Sequence, residues 1–582
     1  MTCPRGPRNP VRAVRAATIA LALTAVACLA TPVRAQWPGN GRALCTASGD
    51  QSYPVMLTDG AGGAFVAWED RRVSGADIYA QRILGSGAIA PGWPTDGRAL
   101  CTAAQDQLAP VLAPDGAGGA FVAWEDYRAG GGDPNIYVQR ITAAGAIAAG
   151  WPANGVGLCT QTDVQGRPTI VSDGAGGAIV AWEDFRDGTG DVYVQRVNAT
   201  GLPLWGTNGL PVCAHDGDQR FPVAVPDGAG GAIIAWQDTR AGDADIYAQR
   251  IDGTGAARWT TDGAVLCAAT LDQLGLRITS DGAGGAIASW EDYRADNSDI
   301  YAQRIDSAGV VRWTPDGVAL CTDLFEQYSA ALAPDGAGGA LVAWNDLRSG
   351  LEDIYAQHVT GLGAIASGWA ANGQAVCVAS GSQFDPRAAT DGAGGAFFTW
   401  IDNRPGSAQL DVYALRMTGA GVAASGWAAN GKPLCSATGD QTVTAIVPDG
   451  LGGAVLGWFD LRSGNADIYA LRVTATGGNP TVAVEPGPSP NFELFPAAPN
   501  PLRSQTWMRF RLAEPEHVTM RIVDVAGRRV RQLMDEPSLA AGDHEIAWDG
   551  RDEAGSRVPG GVYLLVLRAG AESMTAKLAV VR

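Results

Sequence analysis

One hexapeptide constrains this chain more than any other feature. Asp-Gly-Ala-Gly-Gly-Ala begins at Asp59, Asp115, Asp173, Asp227, Asp281, Asp335 and Asp391, and returns at Asp449 with Leu451 replacing the first alanine. Nine residues after each aspartate stands a tryptophan: Trp68, Trp124, Trp182, Trp236, Trp290, Trp344, Trp400 and Trp458, spaced 54–58 residues apart. Each opens Trp-x-Asp-x-Arg, followed by Asp-Ile/Val-Tyr, which the second copy varies to Asn135-Ile136-Tyr137. A second tryptophan series runs from Trp37 to Trp427, each member preceding a glycine and then a cysteine. A period this long, repeated eight times, marks a repeat architecture in which each unit buries its apolar faces on its neighbours.

Each unit holds four short strand-like runs. In the second copy they are 109–112, 119–125, 135–141 and 155–159. The glycines between the first two supply positive φ without steric cost, which signals a hairpin. The run Ala120-Phe121-Val122-Ala123-Trp124 is apolar on both alternating faces, as a strand covered on both sides must be. No sustained helical period appears beyond the first 35 residues. The expected fold class is all-β: an eight-bladed β-propeller followed by a small antiparallel β-sandwich. A linear β-solenoid is the second reading, although its repeats are usually shorter. Ring closure predicts that 41–45 supplies the outer strand of the last blade, beside 468–473.

The expected domains are a signal peptide over 1–35, the propeller over 36–478, a proline-rich linker over 479–491 and the sandwich over 492–582. The signal reading rests on Arg5, Arg8, Arg12 and Arg15, an apolar stretch over 16–30, and Val33-Arg34-Ala35 before Gln36. An uncleaved anchor and a lipoprotein site at Cys28 are the alternatives. No later segment has 18 consecutive apolar residues. Removing 1–35 takes away five arginines and shifts the net charge from -18 to -23. The acidic balance, with a pI near 4.7 and only Lys432 and Lys577 as lysines, excludes a general nucleic-acid binder.

Eight cysteines recur one per repeat, from Cys45 to Cys435. Equivalent positions on neighbouring blades lie on the order of 10 Å apart, beyond the ~7 Å limit for a disulfide, so they are expected to be buried and unpaired. The Asp/Arg of Trp-x-Asp-x-Arg and a further arginine closing the third strand, replaced by His358 in the sixth copy, allow two readings. One is a ring of anion-binding guanidinium groups; the other, favoured here, is a structural clamp. The turn aspartates are candidates for Ca²⁺, yet one carboxylate per loop falls short of six to eight oxygens. Glu69, Glu125, Glu183 and Glu291 follow their tryptophans, where other copies have Gln237, Asn345, Ile401 and Phe459. Paired carboxylates there could do acid–base work on a glycan; the plainer reading is a solvated rim. His215 and His358 lack a local catalytic pattern. No residue is assigned a catalytic, cofactor or metal role.

After the linker come Pro499-Asn500-Pro501, Val523-Asp524-Val525-Ala526-Gly527-Arg528, Trp548-Asp549-Gly550-Arg551-Asp552, Gly560-Gly561-Val562-Tyr563 and Lys577-Leu578. Their order resembles the FlgD-type immunoglobulin-like domain and the related C-terminal sorting domains of type IX secretion. The resemblance implies export across an outer membrane, contact with the export machinery, and retention or processing at the surface. The repeats resemble bacterial secreted propeller repeats, which implies no activity.

Three functions remain open at this stage. The first is an exported, non-enzymatic binding or scaffold module, secreted or on the outer cell surface, with a protein or glycan ligand. Its propeller carries a net charge of -22 over 36–478, which favours cationic partners. The second is a secreted glycosidase or lyase with carboxylates at the channel mouth. The third is a calcium-dependent adhesin. No cofactor is expected otherwise.

Overall fold

The computed structural model describes residues 34–581, except 296, 405–408, 479–480, 484–491, 496, 498, 503, 513–514, 525–527 and 570–571. Residues 1–33 of the expected signal peptide over 1–35 and residues 479–480 and 484–491 of the expected linker lie outside the described residues. Two compact units emerge, one of Arg34–Ala483 and one that includes Val484–Arg582.

The first unit is built of repeated four-stranded antiparallel sheets, eight among the described residues. The first sheet shows the pattern: Gln51–Thr58, Ala64–Asp70, Asp77–Ile83 and Arg98–Cys101. The second strand is buried along its whole length, because neighbouring sheets cover both of its faces. The fourth strand is short, and the register slips between Ile78 and Tyr79 where it joins the third. The eighth sheet takes three strands from the last repeat. Its fourth, Arg42–Cys45, comes from near the start of the chain and pairs with Asp467–Val473 through Arg42↔Ala470 and Cys45↔Ile468. That is the pairing expected from the phase of the repeats.

First strands lie beside first strands throughout the unit. Each packs against that of the next sheet, and Gln51–Thr58 packs on Gln441–Pro448 of the eighth. The structure is therefore propeller-like, with the first strands innermost. One difference from expectation concerns Arg34–Gln36, at the end of the expected signal, and Thr481–Ala483, in the expected linker. These segments form an antiparallel pair with each other; Thr481 and Val482 are β-branched and this short run contains no proline.

The second unit holds a three-stranded sheet of Phe492–Leu494, Thr506–Leu512 and Gly542–Trp548, and a four-stranded one of Arg529–Leu539, Glu516–Asp524, Gly561–Ala569 and Glu572–Val580. Alternate residues Met508, Phe510 and Leu512 join Met520, Ile522, Leu565 and Leu567 in one core, so the sheets form a sandwich. The motif residues hold it together. Asn500 donates to Lys577 O at 2.7 Å and accepts from Ala579 N at 2.8 Å. Trp548 meets Tyr563 edge to face, with ring centres 5.8 Å apart.

Candidate functional site

The repeated charges form a packing node. Trp68 Nε1 donates to Asp70 Oδ2 at 2.8 Å, and Arg72 grips the same carboxylate through Nε at 2.7 Å and its terminal nitrogen at 2.6 Å. That terminal nitrogen also donates to Asp96 O and approaches Cys45 Sγ at 3.2 Å. Asp96 precedes the fourth strand of the same sheet, whereas Cys45 belongs to the sheet before. The guanidinium lies 3.8 Å from the centre of the Tyr79 ring. The same bidentate clamp occurs at Arg128, Arg186, Arg240, Arg294, Arg348, Arg404 and Arg462. In the eighth copy Arg462 donates to Asn40 O, so the N-terminal strand completes the node. Every one of these guanidinium groups is spent on the frame, which leaves no ring of free arginines for anions.

The turn aspartates are equally committed. Asp59 Oδ1 accepts from Ala61 N and Gly63 N, at 2.9 and 2.8 Å, and Oδ2 pairs with Arg82 at 3.1 Å. Arg82 reaches on to Ala143 O in the following repeat. Arg472 of the last repeat reaches Gly85 O of the first. His358 replaces the arginine in the sixth copy, bridging Asp335 Oδ2 at 3.1 Å and Gly419 O at 3.0 Å. Such carboxylates have their oxygens filled by turn amides and a cation, which speaks against Ca²⁺ at the turns. Among the described residues no three His, Cys, Asp or Glu side chains converge as metal ligands.

All eight cysteines of this unit are buried and free. Burial pushes their thiols up to about 12, or about 11 at Cys377, so they are poor nucleophiles and poor ligands. His215 is exposed and contacts Asp216 O.

The glutamates after the tryptophans are not a solvated rim. Glu69 and Glu183 are buried, while Glu125 and Glu291 are half-buried. Each accepts a backbone N–H from the first strand of the next sheet: Glu69 from Ala109 at 2.9 Å, Glu125 from Arg167 at 2.7 Å, Glu183 from Phe221 at 2.5 Å and Glu291 from Ser329 at 2.7 Å. Asn345 serves Asp385 in the same way at 3.1 Å. Desolvation raises the carboxyl pKa of Glu69, Glu183 and Glu291, and the N–H bond opposes it. These groups are struts, not a free acid–base pair.

These five struts hold bulge residues, and every described first strand has such a bulge. In the first sheet the register jumps from Ser52↔Glu69 to Val55↔Ala67, leaving one extra residue on the inner strand. Tyr53 sits there at φ 52°, and its counterparts are Ala109 at 51°, Arg167 at 53°, Phe221 at 56°, Gly275 at 61°, Ser329 at 55° and Asp385 at 58°. A left-handed backbone at a non-glycine residue costs roughly 1–2 kcal/mol and persists only where the surroundings enforce it. The frame is copied from repeat to repeat, whereas this residue differs at every described position.

The bulges border two cavities. The larger, about 970 Å³, spans sheets two to five and is lined by Glu125, Tyr127, Arg167, Phe185, Phe221 and Arg277, among others. The smaller, about 530 Å³, is lined by Tyr53, Arg277 and Arg387 with residues of sheets one, six, seven and eight. Arg277 belongs to both, which places them on one axial opening. Arg167 stacks over Phe221 at 4.4 Å and Arg220 over Phe185 at 4.8 Å. Arg220 and Arg167 also pair with Glu183, at 3.2 and 3.4 Å.

Arg277 is different. Its guanidinium donates to Leu276 O at 3.0 Å, and among the described residues no carboxylate lies within ion-pair distance. Its side chain is exposed and lines both cavities. Desolvation, and then repulsion from Arg387, lowers its pKa. The repeat pattern could not expose these arginines, because they sit where the repeats disagree.

Residues 503–573 match the FlgD Ig-like domain, so the C-terminal resemblance stands. No curated protein matches the sequence. Among solved structures, TolB from Acinetobacter baumannii is 14% identical, with 55% of this chain and 62% of that one covered and a TM-score of 0.26. PorZ, a surface component of the type-IX secretion system of Porphyromonas gingivalis, is 12% identical, covering 93% and 100%, with a TM-score of 0.22. The β-propeller domain of the Trilobed protease from Pyrococcus furiosus is 9% identical, covering 62% and 94%, with a TM-score of 0.35. Likenesses this loose do not bear on activity.

Proposed function

We propose that the chain is an exported, non-enzymatic recognition module, a closed eight-bladed propeller whose axial opening is the ligand seat. The reading places the domains at 36–478 and 492–582 and gives the FlgD-type domain a role in export or surface attachment. One observation carries the binding part: the repeated frame carries a different residue at each described bulge, strained wherever it is not glycine, and Tyr53, Ala109, Arg167, Phe221 and Gly275 line the axial cavities. A pure scaffold has no use for that strain. Closure is supported by the outer strand at Arg42–Cys45, the Arg462–Asn40 contact and the Arg472–Gly85 contact.

An enzyme reading draws less support, since Glu125 and Glu183 border one cavity but each is held by a backbone amide. The test is a glycan, polyanion and polycation array on the full chain, with and without calcium. A saturable, calcium-independent hit agrees with the proposal. A clean negative under both conditions sinks it and leaves a structural role; a hit that needs calcium restores the adhesin.

A further inference from the structure

Arg277 poses a question that the frame does not answer. Other framework cations have partners: clamp arginines hold aspartates, third-strand arginines hold turn aspartates, and Arg387 holds Asp385 at 2.5 Å. Arg277, by contrast, is exposed on the opening and has no carboxylate within ion-pair distance among the described residues. Its position at the junction of the two cavities points its charge at whatever occupies the axis. Arg387 repels it, while Glu291 and Asp385 attract it more weakly, and an anion beside the two guanidinium groups would tip that balance.

The rest of the lining narrows the anion's chemistry. Phe221 and Tyr53 are exposed to 40% and 56% on the same opening, which offers flat apolar faces beside the charge. The opening also refuses a peptide strand on most of its rim. Pro54, Pro110, Pro168, Pro222 and Pro386 follow the bulges of five first strands. Proline lacks the N–H that strand addition needs. Highly charged polyanions are disfavoured too, because the surrounding unit carries -22. What remains is a ligand of low total charge, with a carboxylate and rings whose C–H faces lie on aromatics.

We infer that the axial opening binds a short acidic oligosaccharide, with a uronate carboxylate held by Arg277 beside the Arg387–Asp385 pair and sugar rings against Phe221 and Tyr53. The inference rests on the recognition reading above and names its ligand class. Bidentate guanidinium recognition suits a planar carboxylate, and the combined cavities accommodate a few sugar units.

The test is calorimetric titration of the full chain with a galactose trisaccharide in which one terminal unit is galacturonate, the matching neutral galactose trisaccharide, and a hexapeptide ending in a free carboxylate. The expected result is saturable binding of the acidic sugar, weakened roughly ten- to hundred-fold for Arg277→Gln. Arg387→Gln serves as the second variant, and a melting curve for each confirms folding. Equal binding of the neutral sugar overturns the carboxylate role but keeps the axial seat. Binding of the peptide alone overturns the sugar class and keeps the recognition reading. Failure of all three probes overturns this inference; the recognition reading then falls only if the wider array is also blank.

Discussion

The clamp and the bulge lie on the same sheets and obey opposite rules. At the clamp, Trp, Asp, Arg and Tyr are repeated in every copy, and the geometry varies by only tenths of an ångström: the Trp–Asp bond is 2.8 Å at Trp68, 2.7 Å at Trp124 and 2.9 Å at Trp458. At the bulge, tyrosine, alanine, arginine, phenylalanine, glycine, serine and aspartate occupy one backbone position. The clamp lowers the energy of the fold, while the bulge raises it. Identity between copies therefore marks packing, and divergence at a strained position marks the surface on which selection can act without disturbing the frame.

The comparison breaks most visibly at the clamp. Asp238→Ala leaves Arg240 without its carboxylate and Trp236 Nε1 without an acceptor. A loss of roughly 3–5 kcal/mol is expected on urea unfolding, and a loss under 1 kcal/mol would remove the clamp's importance. Glycine substitutions sharpen the contrast. Ala109→Gly relieves a positive φ at an exposed bulge and is expected to stabilise by about 0.5 kcal/mol. Ala123→Gly, in a buried second strand, is expected to cost about 1 kcal/mol. Two changes of the same sign would show that the bulge stores no strain.

A pH effect comes next. Burial, then Asp70 beside it, raises the Asp77 carboxyl to about 6, and burial likewise raises Asp191, Asp245 and Asp299 to about 6. The unfolded chain releases these protons near ~3.9, so between about pH 4 and 6 the folded state holds more protons. Stability from these four groups thus increases as pH falls from 7 towards 4 and levels off below. Changing all four to asparagine should flatten that part of the melting profile; the second repeat already has Asn135 at this place. An unchanged slope would assign the pH dependence elsewhere. The smallest expected effect is at the one break in the frame. His358→Arg restores the pattern of the other repeats and should shift stability by less than about 1 kcal/mol, read by thermal melting; a larger loss would mean that the sixth repeat has adapted around its histidine.

Much of the fold was legible because its signals are local and repeated. Gly-Gly turns, buried second strands and the phase of the cysteines were enough to place Arg42–Cys45 beside Asp467–Val473. Arg529–Leu539 escaped notice because it is a half-exposed edge strand with Pro537 inside it and no clean alternation. The clamp was legible as a clamp, since a charge needed eight times is unlike a catalytic one. Glu69 and its counterparts were misread as a rim because their partners are backbone amides in the next repeat, about 40 residues away, which no side-chain pattern records. Arg277 was hidden for a related reason: its meaning comes from the two cavities it joins, which residues of all eight sheets line.

The most direct measurement is array binding by a variant in which Tyr53, Ala109, Arg167, Phe221, Ser329 and Asp385 are all glycine, as Gly275 already is. The account predicts a folded protein, melting close to the parent, that has lost the parent's ligand. A folded variant that still binds would contradict it, and so would a chain that no longer folds.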